Sequence, residues 1–397
     1  MNRSRGLRVA LLGAFLALAA CGGGGGNAAT SNTPIKVGIT GPYTGSLADP
    51  GTDIRNAGML AIDEINAAGG ISGRKLQAVA EDDACDAQQG TQAAQKLLNE
   101  GIVGIVGGYC SGASIPESDV LHRNGDLPFI TAASSNPKFT DQGYDNVFRM
   151  VPRDDQEAPA DVGFMHDILK AQKLAVMHDN TTYAKGVADS AKSTATSLGM
   201  QVVYFDAITP GQKDYTSALT AVGTKSPDVL FYTGYYPEFG LLAKQYTQLK
   251  PSYKLNGDSA DVDPSVLKVA GAALNDPGIT INTLPVTGLI HNAKNDTFAR
   301  KYKAQFNRDS ADYSSYEYDG MMAFAQALKD NGGKTAAKDL NAALHKVHIT
   351  GITGDVSYDT KGDRPAPQFY AVRTAGDPPA FKVYAVRDKG TWKLSTS

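Results

Sequence analysis

The chain has 397 residues, of which 42% are hydrophobic, and its formal net charge is −3. This length and apolar content are sufficient for two ordinary domains with full cores. The slightly acidic balance provides no basic surface, so we expect no nucleic-acid partner. The six histidines lack zinc-ligand spacing and no motif indicates a prosthetic group, so we predict neither a metal nor a cofactor.

The N-terminal segment has the anatomy of a secretory signal. Three arginines among the first eight residues precede an apolar stretch over residues 7–20, which at about 14 residues is too short to span a bilayer comfortably. The small residues before Cys21 resemble the bacterial lipobox, in which the cysteine is lipidated; an ordinary cleaved signal with a chance cysteine is the alternative. We predict a signal peptide over residues 1–20, a lipid anchor at Cys21 and a flexible tether over 21–33.

From residue 34 onward, strand-like and helix-like segments alternate. The pattern predicts strand 35–39, helix 54–68, strand 76–80, helix 87–99, strand 102–106, helix 113–122 and strand 128–130. It continues with helix 154–170, strand 173–177, helix 183–198, strand 202–205, helix 215–222, strand 229–232, helix 237–249 and strands 254–255 and 279–284. Helices near 296–307, 315–329 and 335–345 precede a β pair at 368–373 and 381–386. Such alternation predicts an α/β fold with parallel sheets, and two doubly wound lobes are more economical than one very wide sheet.

Ligands of doubly wound sheets lie beyond the carboxyl ends of the strands. Six loops occupy such positions: residues 41–53, 107–114, 131–136, 178–184, 233–237 and 256–261. In loop 107–114, the start of a helix offers free backbone N–H groups and the Ser111 hydroxyl, which suit a carboxylate or phosphate. A capped strand–helix turn, with Ser111 as the N-cap, explains the same residues.

The other loops carry further candidate ligand-binding residues. Ala133 is small enough for a close backbone approach, and Ser134 and Ser135 offer hydroxyl donors and acceptors. Tyr183 and Tyr235 follow strands of the second half and suit an aromatic wall with hydroxyl tips. Polar-turn chemistry and ordinary aromatic packing are the respective alternatives.

An acidic loop follows the short strand at 254–255. The carboxylate of Asp258 or Asp261 there suits an ammonium group, whereas a solvated loop acid is the alternative.

The cysteines allow two different interpretations. Apart from the predicted anchor, Cys85 and Cys110 remain, and an even remainder in an exported protein indicates one disulfide rather than two buried thiols. Residues 108–112 also fit G-x-C-x-G, a cysteine version of the nucleophile elbow of α/β hydrolases. That remote alternative requires a reduced Cys110 together with His345 or His348.

From about residue 35 to the C-terminus, the chain resembles the leucine/isoleucine/valine-binding proteins, the solute-binding proteins of branched-chain amino acid ABC importers. The pieces that carry the resemblance are residues 39–45 (ITGPYTG), 66–73 (NAAGGISG), 81–86 (EDDACD), 110–111 (CS), 178–183 (HDNTTY) and 233–238 (TGYYPE). Their order and spacing together are specific. The resemblance implies a type I periplasmic binding protein fold, in which two doubly wound lobes are joined by three chain crossings.

The resemblance also implies domain boundaries. The first lobe would contain residues 34–152 and 285–353, and the second lobe would contain residues 153–284 and 354–397. Crossings are expected near residues 151–152, 284–285 and 353–354. Cys85 and Cys110 match the disulfide pair of the family.

Residue by residue, the resemblance implies a ligand site between the lobes. Ser111 matches the serine that holds the amino-acid carboxylate, Ala133 and Ser135 match the loop that holds both charged ends, and Tyr183 and Tyr235 match the closing tyrosines. Asp258 lies where an acid usually meets the ammonium group, with Ser259 as the competing match. One departure is Pro50 before Gly51, where the family usually has a tyrosine, so the preferred side chain does not follow.

We therefore expect a monomeric, extracytoplasmic, lipid-anchored solute-binding protein that has no catalytic residues. It would bind a branched-chain or other aliphatic amino acid and deliver it to an ABC permease. Three competing functions are a binding component for an amide, urea or aromatic acid, a sensor, and the cysteine hydrolase based on Cys110.

Overall fold

The computed structural model describes residues 33–365 and 368–395. The predicted signal peptide, the anchor residue Cys21 and most of the tether lie outside the described residues. Within those ranges, none of the helices combines the length and apolar character needed to cross a bilayer.

The first lobe is built on a five-stranded parallel sheet with strand order β2-β1-β3-β4-β5. The strands are β1 (Ile35–Gly41), β2 (Leu76–Asp82), β3 (Ile105–Gly107), β4 (Phe129–Thr131) and β5 (Val147–Arg149). The helices are α1 (Ala48–Ala67), α2 (Ala87–Glu100), α3 (Ser111–Arg123) and α4 (Lys138–Asp141). Strands β3, β4 and β5 are buried at every position, as expected for parallel strands covered on both faces.

The second lobe is built on an eight-stranded sheet with strand order β15-β14-β13-β10-β9-β8-β6-β7. Its parallel part contains β6 (Lys173–His178), β7 (Gln201–Ala207), β8 (Val229–Thr233), β9 (Lys254–Gly257) and β10 (Ile279–Thr283). Its helices are α5 (Asp154–Asp167), α6 (Thr182–Ser197), α7 (Thr216–Gly223), α8 (Tyr236–Leu249) and α9 (Pro264–Ala270). The two doubly wound lobes predicted from the sequence are confirmed.

The chain then returns to the first lobe before its last strands join the second sheet. Helices α10 (Ala293–Phe306), α11 (Ser314–Asp330) and α12 (Ala337–Leu344) precede a hairpin of β11 (Ile349–Gly351) and β12 (Gly354–Val356). Helix α11 packs against α1 and against strands β3 and β4. Strands β13 (Phe369–Ala375), β14 (Ala380–Asp388) and β15 (Thr391–Leu394) extend the second sheet in antiparallel pairing.

Two short connections take the chain from the first lobe to the second and back again. Strand β5 ends at Arg149 and α5 begins at Asp154, and β10 ends at Thr283 before the chain turns back towards α10. Between β12 and β13 the chain still contacts the first lobe, because the Gly362 carbonyl accepts a hydrogen bond from Arg149 N at 2.9 Å. The exact lobe boundaries stay a prediction.

Helix α5 follows the first connection and is anchored to the second sheet. The indole N–H of Trp392 in β15 donates to the Ala160 carbonyl at 2.8 Å, and α5 also packs against α6 and β13. The first turn of α5 therefore lies at the base of the cleft, next to the connection but held by the second lobe.

Candidate functional site

A cavity lies between the lobes at the carboxyl ends of strands from both sheets. Its walls are formed by Tyr109, Ala133, Ser135, Val151, Glu157, Tyr183, Tyr235, Ser259, Ala260, Leu284 and Tyr313. The space enclosed is about 10 Å³, enough for roughly one water molecule. An amino acid therefore requires the lobes or the tyrosine side chains to move apart.

The lobes touch directly around this cavity. The Tyr236 hydroxyl donates to the Ser46 carbonyl at 2.7 Å, and the Asn136 amide nitrogen donates to the Thr182 carbonyl at 3.0 Å. Each bond joins a residue of one lobe to a residue of the other. The arrangement is thus a closed one, in which side chains from both lobes reach the same small space.

Four of the predicted ligand-binding residues line the cavity: Ala133, Ser135, Tyr183 and Tyr235. The two small residues come from the loop after β4, and the two tyrosines follow β6 and β8. The tyrosine ring centroids are 5.4 Å apart. The rule that ligands lie beyond the carboxyl ends of parallel strands therefore brings these side chains together.

Ser111 and Ser134 are buried but do not line the cavity. The Ser111 hydroxyl accepts a hydrogen bond from Asn136 N at 3.3 Å, and the Ser134 hydroxyl donates to the Ser114 hydroxyl at 2.7 Å. Ser111 is the first residue of α3, whose N-cap is Cys110, so the expectation of Ser111 as N-cap is wrong. The ligand role of both serines stays a prediction.

Asp258 has a different position from Ser259. Its carboxylate accepts hydrogen bonds from Gly234 N and from Ala260 N, both at 3.2 Å. These contacts tie together the loops after β8 and β9, whereas Ser259 lines the cavity. Of the two residues weighed for the ammonium position, the structure places Ser259 rather than Asp258 in the cavity wall.

The turn after β3 delivers Tyr109 to the cavity and requires glycine. Gly107 and Gly108 have φ angles of 153° and 78°, which L side chains rarely adopt. A Cβ atom on Gly107 would lie 2.7 Å from the Thr40 carbonyl oxygen. The two glycines therefore allow the chain to reverse from β3 into α3 while Tyr109 points between the lobes.

Four tyrosines form a connected aromatic group around the cavity. Ring centroids are 5.8 Å apart for Tyr109 and Tyr235, and 5.9 Å apart for Tyr109 and Tyr313, while Tyr183 lies against Tyr235. The Tyr313 hydroxyl donates to the Ser259 hydroxyl at 3.3 Å across the cleft. Burial raises the pKa of all four hydroxyls well above the usual value, so they act as neutral donors and acceptors.

Glu157 is the one carboxylic acid among the described residues that line the cavity. It lies in the first turn of α5 and is 1% exposed. Burial raises the pKa of Glu157 to about 7, and hydrogen bonding to Ser259 opposes that shift. Within the described part of the chain, its Oε1 atom has no hydrogen-bond partner.

Further buried acids surround Glu157 without lining the cavity. Burial raises the pKa of Asp154 to about 7, and burial also raises the pKa values of Asp161 and Asp258. The negative charge of Glu157 contributes to each of these shifts. The base of the cleft therefore holds several carboxylic acids whose burial favours the neutral form, and a nearby cation would favour ionisation of the acid that it contacts.

Sequence reasoning did not assign six of the wall residues to the site: Tyr109, Val151, Glu157, Ala260, Leu284 and Tyr313. Val151 and Leu284 were predicted to lie where the chain crosses between the lobes. Such connecting segments run along the base of the cleft and therefore contribute to its wall. The acidic run at 154–157 is the signal that marks Glu157. However, acids in the first turn of a helix are also explained by the helix dipole.

Cys85 and Cys110 form a disulfide, which confirms the predicted pair. The bond joins the segment before α2 to the start of α3, so it fixes the loop that carries Tyr109. The Cys110 sulfur is not a free thiol in this arrangement. Moreover, His345 packs against Phe148 and lies near the Asp145 carbonyl. The hydrolase alternative therefore lacks its nucleophile.

The sequence model of the family described as periplasmic binding protein matches residues 34–378. The chain belongs to the periplasmic binding protein family. This assignment and the type I two-lobed fold agree with the resemblance found in the sequence motifs.

Individual relatives agree with the assignment. The Leu/Ile/Val-binding protein homolog 1 of Brucella suis biovar 1 is 33% identical over 338 residues, which cover 84% of this chain and 89% of that protein. A leucine binding protein of Thermotoga maritima has a similar fold, with a TM-score of 0.80 at 22% identity over 88% of this chain and 97% of that one.

A second solved structure with this fold is a solute binding protein of an ABC transporter from Rhodopseudomonas palustris in complex with 3,4-dihydroxybenzoic acid. Its TM-score is 0.78 at 22% identity, and the match covers 89% of this chain and 97% of that one. At such identities the two solved structures establish the fold of this family member and not its ligand.

Proposed function

We propose that this family member is the solute-binding component of an ABC importer and binds a branched-chain or other aliphatic amino acid between its lobes. The observation that carries the proposal is the composition of the cavity wall. Small residues, tyrosine hydroxyls and one carboxylic acid converge there from both lobes, as recognition of an amino acid requires. The relative in Brucella, named a Leu/Ile/Val-binding protein homolog, supports the same ligand class.

The wall provides different chemistry for the parts of such a ligand. The loop of Ala133 and Ser135 offers a close backbone approach and a hydroxyl for the carboxylate. Val151 and Leu284, together with the tyrosine rings, offer apolar surface for the aliphatic side chain. Pro50 lies in the first turn of α1 and is not among the cavity residues.

Binding would work through lobe closure without chemical change of the ligand. Only the closed arrangement contacts a ligand from both lobes, so the ligand shifts the population towards closure. The closed shape would then be recognised by the permease. The proposal includes a monomeric protein, anchored through Cys21 to the outer face of the cell membrane, that catalyses no reaction.

An aromatic acid is the second candidate ligand. The four tyrosines resemble a wall suited to a planar ring, and a protein of the same fold was solved with 3,4-dihydroxybenzoic acid. An amide or urea as ligand, and a role in sensing rather than transport, are weaker candidates. The buried acid in the cavity favours the amino acid, because an amino acid brings an ammonium group to pair with it and an aromatic acid does not.

Titration calorimetry on the full chain in detergent tests the proposal. The panel would contain leucine, isoleucine, valine and alanine, together with benzoate, acetamide and urea. We expect one-to-one binding of at least one aliphatic amino acid and no heat with the other solutes. Heat with benzoate alone, or with an amide alone, would contradict the proposed ligand class.

A further inference from the structure

We infer that the Glu157 carboxylate binds the cationic nitrogen of the ligand, so that the ligand must carry an amino group. This inference rests on the proposed function and narrows it, because it assigns the ammonium contact to the base of the cleft. Sequence motifs had indicated the loop after β9 for that contact, through Asp258 or Ser259.

The hydrogen bonds distinguish Glu157 from Asp258. Asp258 uses its carboxylate to accept from Gly234 N and Ala260 N, and it lies outside the cavity wall. Glu157 lies in that wall, and its Oε1 has no partner within the described residues. A buried carboxylate oxygen without a donor is costly, and a ligand ammonium group would remove that cost.

The charges around Glu157 also favour a cation. Among the described residues that line the cavity there is no lysine, arginine or histidine. The buried acids Asp154, Asp161 and Asp258 surround Glu157, and all of them are fully or almost fully buried. The cavity wall therefore provides no basic side chain that could neutralise Glu157, and the ammonium group of the ligand would take that role.

The aromatic groups provide a second, independent contribution. Tyr109, Tyr183, Tyr235 and Tyr313 form much of the remaining wall, and the faces of aromatic rings attract cations. One carboxylate surrounded by several tyrosines is the composition expected for an ammonium site.

The test compares leucine with 4-methylpentanoate, which is leucine without its amino group. Both would be titrated by calorimetry into the full-length wild-type protein and into three variants: Glu157→Gln, Glu157→Asp and Asp161→Asn. Asp161→Asn is the matched control. Asp161 lies one turn further along α5, is equally buried and is absent from the cavity wall.

We expect Glu157→Gln to weaken leucine binding by about 10- to 100-fold, since a hydrogen bond to a charged group is lost. Asp161→Asn should change leucine affinity by less than about threefold, because no ligand contact is removed. Affinity for 4-methylpentanoate should be low in the wild type and no lower in Glu157→Gln. The leucine affinity of Glu157→Asp, which keeps the charge, should lie between those of the wild type and Glu157→Gln. This variant provides the test if Glu157→Gln does not fold.

The outcomes separate this inference from the proposed function. Equal leucine affinity in wild type and Glu157→Gln would overturn the role of Glu157 and leave the amino acid as ligand. The wild-type protein could instead bind an amine that is not an aliphatic amino acid. If Glu157→Gln loses that binding, the result would support the inference and correct the ligand class of the proposed function. Equal wild-type affinity for leucine and 4-methylpentanoate would overturn the inference alone, whereas a wild-type protein that binds no amine would overturn both.

Discussion

Arg149 and Glu157 are eight residues apart, both are buried and both carry a charged group, yet their surroundings differ. The Arg149 guanidinium donates to Asp363 Oδ1 at 2.8 Å, to the Ser134 carbonyl at 2.8 Å and to the Asn136 carbonyl at 3.0 Å. Glu157 has an oxygen without a partner in the described chain and faces the cavity. A buried charge whose partners are all internal stabilises the fold, whereas one with an open partner position is suited to bind a ligand.

The Arg149 contacts also explain how the first lobe shapes the site. The two carbonyls that accept from the guanidinium, on Ser134 and Asn136, flank Ser135 in the chain. Asp363, in the segment before β13, pairs with the Arg149 guanidinium and also with Arg153, the latter at 3.2 Å. The loop after β4 is therefore held from behind by ionic contacts, while its other side forms the cavity wall.

The largest expected effect is on stability when Arg149 is removed. Arg149→Met should lower the free energy of unfolding by about 3–5 kcal/mol, because Asp363 and two carbonyls lose a buried partner. The control is Lys185→Met, since Lys185 pairs with Asp189 on an exposed helix surface. That control should change stability by less than about 1 kcal/mol. Chemical denaturation measures both, and equal effects would contradict the structural role assigned to Arg149.

The second prediction concerns the pH dependence of stability. Burial raises the pKa values of Asp53, Asp83, Asp154 and Glu157 to about 7, whereas unfolded acids titrate near about 4. Between these values the folded protein binds more protons than the unfolded chain. The contribution of each group is therefore fully present below about pH 4 and is lost as the pH rises through about 7.

We accordingly expect the free energy of unfolding to fall between about pH 5.5 and about pH 7.5, by on the order of 1–2 kcal/mol per group. Denaturation curves at the two pH values measure this change. Asp141 has a pKa lowered by hydrogen bonds from Arg153, but its contribution is lost only below about pH 4. Stability that is constant or increases over this interval would contradict the buried, raised-pKa state of these acids.

The smallest predicted stability effect belongs to Glu157. In the ligand-free protein, Glu157→Gln should lower the free energy of unfolding at about pH 7.5 by no more than about 1 kcal/mol, because no internal ion pair is broken. The decrease of stability with pH should also be smaller in this variant than in the wild type. Denaturation at both pH values tests this prediction. A loss of stability as large as that of Arg149→Met would show that Glu157, like Arg149, is needed to stabilise the fold.

The overall architecture could be predicted because it depends on periodic patterns. The predicted helix at 87–99 corresponds to α2 (Ala87–Glu100), which Gly101 ends in a left-handed conformation. Five of the six predicted ligand loops contribute a cavity residue. The sixth, residues 41–53, instead forms the beginning of α1 (Ala48–Ala67). The three-residue strands β5, β11 and β12 were not predicted, because so short a segment shows no clear alternation.

The direction of individual side chains could not be predicted in the same way. In the sequence, Asp258 is an acid in the loop after a short strand and Glu157 is an acid in the first turn of a predicted helix, and only the folded chain shows where each carboxylate points. Asp258 is turned towards backbone N–H groups of its own lobe. Glu157 faces the cavity because Trp392 and the second sheet hold α5 against the base of the cleft. Contacts of this kind join residues far apart in sequence.

A crystal structure of the protein grown with leucine at about pH 7.5 tests the central claim most directly. The account predicts leucine between the lobes, with its ammonium nitrogen about 2.7–3.2 Å from a Glu157 carboxylate oxygen and its carboxylate at the loop of Ala133 and Ser135. Leucine bound between the lobes with its nitrogen held elsewhere and Glu157 turned away, or lobes that exclude leucine altogether, would contradict it.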